Sequence, residues 1–260
     1  MRLSAKLMQS AIHNAVVQKE MPVQEHSDDA MTLSQLKQRL EYFCLERGWN
    51  KGNAGSPDHI SAAIITEANE LLGCVKHLPK RKQARLVRNP INGIEARKEI
   101  ADVLWFSLVM AERHGISLSQ SLFGDGFASI GNGGAIHVTD EHTKISDLKS
   151  LALVRYGKRY LRLSPKDLAV EMISEASALF EHFRFRSPEQ IKEMLSDDAK
   201  MMSIRKSLGK VFGLILIYSA NNSIDLSSAV LEKLSENEER YSAVQLNGTG
   251  YQKYTEIRRK

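Results

Sequence analysis

Two blocks of this chain repeat each other at one fixed spacing. SPDHISAAIITEANEL, residues 56–71, aligns with SPKDLAVEMISEASAL, residues 164–179, and RKEIADVLWFSLVMAERHGISLSQSL, residues 97–122, aligns with RKSLGKVFGLILIYSANNSIDLSSAV, residues 205–230. Both alignments use an offset of 108 and together hold 13 identities in 42 ungapped positions, where unrelated sequence gives about two or three. A shared offset across two blocks points to an internal duplication, so the expected fold is one that can be built twice and packed on itself.

Within each copy the apolar residues recur with the helical period, and the alternation expected of half-buried strands is scarce, which predicts an all-α helical bundle. Each copy reads as a leading helix, a Ser-Pro helix start, a long second helix, a variable excursion and a third helix ending near ISL or IDL. LSQLKQRLEYFCLERG supplies the first leading helix, and Ser56-Pro57 suits an N-cap followed by a first-turn proline. The expected organisation is an arm over 1–30, a first repeat over 31–122, a linker over 123–143, a second repeat over 144–241 and a basic tail over 242–260. The linker holds five glycines, and its GNGG lacks the strand-to-helix context of a phosphate-cradling loop.

Bulk properties set wide bounds. With 260 residues, 42% hydrophobic and 26% charged, the chain can bury one large core or two small ones. A net charge of +5 suits an anionic partner but is common among proteins that bind none. Two cysteines, Cys44 and Cys74, are too few for a disulfide framework, and no CxxC or HxxxH spacing joins them to His59 or His77 as a metal site. The N-terminus has no apolar core of signal-peptide length, and no run approaches about 18 apolar residues, so a soluble cytoplasmic protein without a membrane partner is expected.

The carboxylates narrow the chemistry. IITEANELLG, residues 64–73, carries Glu67 and Glu70 inside an otherwise apolar or small-residue run, and EIADVLWFSL carries Glu99 and Asp102 in the same way. At a spacing of i, i+3 each pair shares one helix face. If the two helices pack antiparallel, four carboxylates converge, an arrangement stabilised mainly by divalent cations. Oxygen-only ligands select Mg²⁺, with Mn²⁺ able to substitute. The competing reading is a pair of solvated acidic faces. Against it, the second copy keeps only Glu175, with Ala178, Ser207 and Lys210 where Glu70, Glu99 and Asp102 stand in the first.

The pattern ExxE, 28 intervening residues, then ExxD, with ERGW before and GISL after, resembles the all-α nucleoside triphosphate pyrophosphohydrolases. This is the MazG and dCTP pyrophosphatase superfamily, to which the dimeric dUTPases are related. The resemblance spans residues 31–122 and, more weakly, 144–241. It implies that Glu67, Glu70, Glu99 and Asp102 bind Mg²⁺ and that a nucleoside triphosphate is cleaved between its α and β phosphates, with one glutamate orienting or deprotonating the attacking water. The family ends its bundle with a Lys, Asn, Arg-Tyr pattern directed at substrate phosphates. LEKLSENEERYS matches it with Lys233, Asn237, Arg240 and Tyr241, the first three at i, i+4 and i+7 on one helix face.

At the same offset the first copy has Asp125, Ser129 and Asn132. The losses are complementary, which implies a fused pseudo-dimer, either monomeric or paired again as a homodimer, with one composite site. Where the family often has aromatic residues near the base, this chain has Phe106 and His77, so base selection departs from the pattern; Trp49 and His77 are the candidates to contact a base. KHLPKRKQARLVR, residues 76–88, is either a lid closing on triphosphate or a solvated charge run. Two rival readings stand beside the enzyme. One is a nucleotide-binding regulator of the same fold and the other a helical nucleic-acid-binding protein; the intact four-acid set argues against both, while the degraded second copy keeps the first open.

Overall fold

Thr32 starts the first helix with a reciprocal cap: its hydroxyl accepts from Gln35 N–H at 3.4 Å while its own N–H donates to Gln35 Oε1 at 2.9 Å. The computed structural model describes residues 26–49, 55–124, 127–130 and 134–241. Most of the expected N-terminal arm, the whole basic tail and parts of the linker, Asp125 and Asn132 among them, lie outside the described residues. Among those described, ten helices and one hairpin follow in the order α1 (Leu33–Glu46), α2 (Pro57–Val75), α3 (Lys80–Arg88), α4 (Ile94–Arg113), α5 (Leu118–Phe123), β1 (Phe127–Ile130), β2 (Gly134–His137), α6 (Ile145–Tyr160), α7 (Pro165–Glu181), α8 (Pro188–Leu195), α9 (Asp198–Asn222) and α10 (Leu226–Arg240).

The chain is therefore mostly helical. The exception lies in the segment expected to be a plain linker, where β1 and β2 pair antiparallel, Phe127 opposite His137 and Ile130 opposite Gly134. The basic excursion is also more regular than a loop: Pro79 precedes α3, whose Gln83 and Val87 are buried at i, i+4 while its cations face outward. No described helix is long and apolar enough to cross a membrane.

Proline at the first position begins α2, α7 and α8, as the Ser-Pro dipeptides predict. Ser164 and Ser187 cap in the expected way, whereas the Ser56 hydroxyl lies 2.6 Å from His59 Nδ1. Helix α2 packs between α4 and α7, and α9 runs through the middle against α4, α5, α6, α7 and α8. Its apolar run from Val211 to Tyr218 is buried all round, so α9 reads as a core helix. Gly209 permits the close crossing with α5, since a Cβ there would sit 2.4 Å from the Ser121 carbonyl oxygen.

Two buried aspartates hold the halves together by exchange. Asp28, ahead of α1, accepts from the N–H groups of Leu226 and Ser227 at the start of α10, at 3.1 and 2.8 Å, and from Lys149 Nζ at 2.7 Å. Asp140, ahead of α6, accepts from the N–H groups of Leu118 and Ser119 at the start of α5, at 3.1 and 2.9 Å, and from Lys37 Nζ at 3.3 Å. The backbones exchange too, with Ser34 N–H on the Asp140 carbonyl at 2.9 Å and Ser146 N–H on the Asp28 carbonyl at 3.1 Å. A carboxylate at a helix N-terminus with a lysine beside it satisfies charge and orphan donors together. Asp28 thereby ties the first turn of α10, which Asp225 caps through Ser228 N–H at 2.8 Å, to the segment ahead of α1.

Candidate metal and phosphate site

Helices α2 and α4 bring the two acid pairs together. Glu67 interacts with Asp102, Glu70 lies beside Glu99, and Cys74 lies near Glu95, the order of two antiparallel helices. Ligand oxygens of Glu67, Glu70 and Glu99 lie within 4.8 Å of one another. Glu70 is exposed and Glu67 and Glu99 are half-buried. The buried Oε2 of Glu99 makes no hydrogen bond among the described residues, which leaves an acceptor without a donor in a crowded negative site.

The electrostatics record that crowding. Burial, then the charges of Asp102, Glu70 and Glu99, push Glu67 up to about 8, with Lys233 opposing. Burial, then Asp102 and Glu70, push Glu99 up to about 7. The neighbouring Cys74 thiol, raised to about 11 chiefly by burial, stays neutral and donates to the Glu70 carbonyl at 3.4 Å. The available donors are thus hard carboxylate oxygens. Three of them, one with an unpartnered buried oxygen, form a set that fits a divalent cation with oxygen preference.

Asp102, 9% exposed, takes a different partner. Lys233 of α10 reaches across and its ammonium ion-pairs with Asp102 Oδ2. Asp102 is pulled both ways: burial, the largest influence, raises it, Lys233 lowers it, Glu70 and Glu236 raise it, and the net shift is upward. For Lys233, burial works downward, but the Asp102 contact with Glu99 and Glu67 outweighs it, and the net shift is upward. Lys233 therefore stays protonated, facing Asp102, Glu99 and Glu67. A second bond between the same helices, Lys98 to Glu236 at 2.8 Å, escaped the sequence reading, although Glu236 follows Lys233 by one helical step.

The other candidates separate into two groups. Asn237 is half-buried and Arg240 exposed on α10, with Arg240 5.3 Å over the Tyr241 ring. Tyr241 is 5% exposed and its ring meets Trp49 at 5.4 Å, and Trp49 meets Phe43 at 5.4 Å. Arg47 Nε donates to the Tyr241 carbonyl at 2.6 Å. Trp49 and Tyr241 thus sit in an aromatic junction that anchors the end of α10 to α1. His77 is exposed in the turn between α2 and α3.

At the matched seam of α7 and α9 three of the four acids are replaced and Glu175 remains. Lys210 Nζ pairs with Glu175 at 2.9 Å, and His182 Nε2 lies 3.2 Å from the Ser207 hydroxyl. That seam carries its own counter-charge; the first has Asp102 where the second has Lys210. Two grooves lie apart from all this, one of ≈ 220 Å³ bordered by Arg88, Leu161 and Asn221 and one of ≈ 370 Å³ bordered by Lys82, Arg85 and Asn89. Neither includes an acid of the cluster, which is assigned on charge crowding, the feature that the fold alone does not require. Comparisons with protein-family models, curated proteins and solved structures give no match for this chain.

Proposed function

We propose that this chain is a Mg²⁺-dependent nucleoside triphosphate pyrophosphohydrolase of the MazG-like, all-α kind, built as a duplicated pseudo-dimer with one composite site. The observation that carries the reading is the convergence of Glu67, Glu70 and Glu99 within 4.8 Å, with Asp102 beside them paired to a lysine from the other half of the chain. Support for duplication comes from the helix starts at Pro57 and Pro165 and at Leu118 and Leu226, which keep the 108 offset. The exchanged contacts of Asp28 and Asp140 are what two packed copies would make across a pseudo-twofold axis.

In this reading Glu67, Glu70 and Glu99 hold the cation and Asp102 completes the acidic wall. Bound Mg²⁺ would supply charge neutralisation and Lewis acidity at the phosphates; Mn²⁺ would do the same. The residues then divide the remaining work. Glu67 and Glu99, whose burial favours their protonated forms, release protons as the cation enters. Lys233 keeps Asp102 oriented and offers its other N–H donors to phosphate oxygens. Asn237 and Arg240, four and seven residues further along α10, extend a row of donors suited to the departing pyrophosphate.

Pyrophosphate release tests the reading, measured on the purified chain across canonical and modified NTPs and dNTPs, with Mg²⁺ and with EDTA. Metal-dependent pyrophosphate as the first product is the expected result. No turnover, with a nucleotide-induced rise in melting temperature, would replace the enzyme by a nucleotide-binding regulator.

A further inference from the structure

Between Glu70 and Glu95 the chain carries Lys76, Lys80, Arg81, Lys82, Arg85 and Arg88 and no acid at all. Two members of this row are engaged with other helices, Lys80 at 4.0 Å from Asp167 and Arg88 on the Asn221 carbonyl at 2.6 Å. Arg81, Lys82 and Arg85 have no carboxylate partner among the described residues. Elsewhere Lys37, Lys98, Lys149, Lys210 and Lys233 are paired with acids, while Lys158, Lys192, Arg205 and Lys206, like the α3 cations, have no carboxylate partner among the described residues. An uncompensated cluster of this kind produces a local positive potential that draws anions.

Two of those cations border a groove of ≈ 370 Å³, with Leu78, Leu86, Asn89 and Asn92 as its other walls. The six positions are 78, 82, 85, 86, 89 and 92, a helical stripe along one side of α3 and into the turn that follows. Leu78 and Leu86 are half-buried and give the groove an apolar face. Asn89 supplies an oriented donor: its Oδ1 accepts from the backbone N–H groups of Ile91 and Asn92 at 3.0 and 2.8 Å. Because both partners are donors, the amide orientation is fixed, and Nδ2 is left with no hydrogen bond among the described residues.

We infer that this groove is a second anion site, apart from the carboxylates, that takes a nucleoside monophosphate through Lys82 and Arg85 on the phosphate, Asn89 Nδ2 as a neutral donor and the two leucines against the base or sugar. A bare anion would use the cations and leave the apolar wall wet; a nucleotide uses both. The inference does not rest on the hydrolase reading, since none of the four acids borders the groove.

Isothermal titration in EDTA, with AMP, CMP, GMP, UMP and inorganic phosphate as probes, tests it without turnover. At least one nucleotide is expected to bind more tightly than inorganic phosphate. The double variant Lys82→Ala/Arg85→Ala should lose at least about tenfold in that affinity, as two charge-assisted contacts go. Lys80→Ala/Arg81→Ala, which removes the same charge from outside the groove, should change it by less than about threefold. All four side chains are exposed, so unchanged melting temperatures are expected and serve as the folding control. Equal losses in the two doubles, equal affinity for phosphate and nucleotide, or no binding by the unaltered chain would overturn the inference. So would much tighter, steeply salt-dependent binding of a 5′-phosphorylated oligonucleotide, which would make the groove a nucleic-acid contact.

Discussion

Lys233 on α10 ion-pairs with Asp102 on α4, 131 positions earlier in the chain, and α10 is fixed in place at its other end by the carboxylate of Asp28. Replacing Lys233 by Met keeps the stem that packs along α4 and removes the charge. Asp102 then loses the one cationic partner it has among the described residues, in a buried acidic site. We expect pyrophosphate release to fall by about 10²–10³-fold with the helix content unchanged, and Lys233→Arg to recover part of it, since a guanidinium still reaches phosphate oxygens. Steady-state kinetics beside a circular dichroism spectrum decides; wild-type turnover in the Met variant would remove Lys233 from the site.

Glu99 gives a prediction of opposite sign for stability and activity. Its ionised form is disfavoured by burial and by Asp102 and Glu70, so the neutral amide of Glu99→Gln relieves repulsion when no cation is present. In EDTA the variant should melt at or above the temperature of the unaltered chain, while Mg²⁺ should no longer raise that temperature. Turnover should drop by about 10²-fold or more, the scale of a lost cation ligand. A variant that melts lower in EDTA and still gains from Mg²⁺ would place Glu99 in structure alone.

The acids were legible because their signal is local. Helical periodicity alone puts Glu67 with Glu70 and Glu99 with Asp102 on single faces, and α2 and α4 keep those faces turned together. What escaped was information shared between distant positions. Asp28 and Asp140, Ser34 and Ser146, Leu36 and Leu148, and Lys37 and Lys149 match at an offset of 112, not 108, because α1 and α6 begin 112 positions apart, at Leu33 and Ile145, whereas α2 and α7 begin 108 apart, at Pro57 and Pro165. An ungapped search at one offset passes over that match, and with it the exchange that positions α10. The hairpin was hidden by glycines, which mark turns without announcing strands. Regular structure in residues 80–88 was masked by charge: Gln83 and Val87 are its buried residues, with Leu86 half-buried against the core, too few to register as a period.

The raised carboxylates make the cation-free protein sensitive to pH in a defined direction. Glu67 has a folded value of about 8 and Glu99 of about 7, both above the unfolded value of about 4.3. Between those limits the folded state binds more protons than the unfolded one, so the stability these two groups contribute is full below about pH 4, falls as pH rises from there, and is lost once pH has passed about 7 to 8. Denaturant midpoints in EDTA should therefore fall across this window. Saturating Mg²⁺ should flatten the dependence, since the cation replaces the protons. A midpoint that rises with pH in EDTA would mean that Glu67 and Glu99 are ionised without penalty.

The two aspartate clamps separate stability from function. Asp28 and Asp140 are buried in matched settings, each on a helix N-terminus and a lysine. Asp28→Asn and Asp140→Asn should each cost about 2–4 kcal/mol, because each turns an acceptor into a donor beside N–H groups and takes an anion from a lysine, with Lys37 keeping Glu112 at 3.6 Å. Their effects on turnover should differ. Asp28 holds α10, which carries Lys233, Asn237 and Arg240, whereas Asp140 holds the short α5, which carries none of the site. Assayed well below both melting temperatures, Asp28→Asn should lose on the order of ten- to a hundredfold in kcat as the lysine drifts from Asp102, and Asp140→Asn should stay within about threefold of the unaltered chain. Equal losses would mean that the clamps act only through stability and that α10 is placed by its contacts with α4 alone.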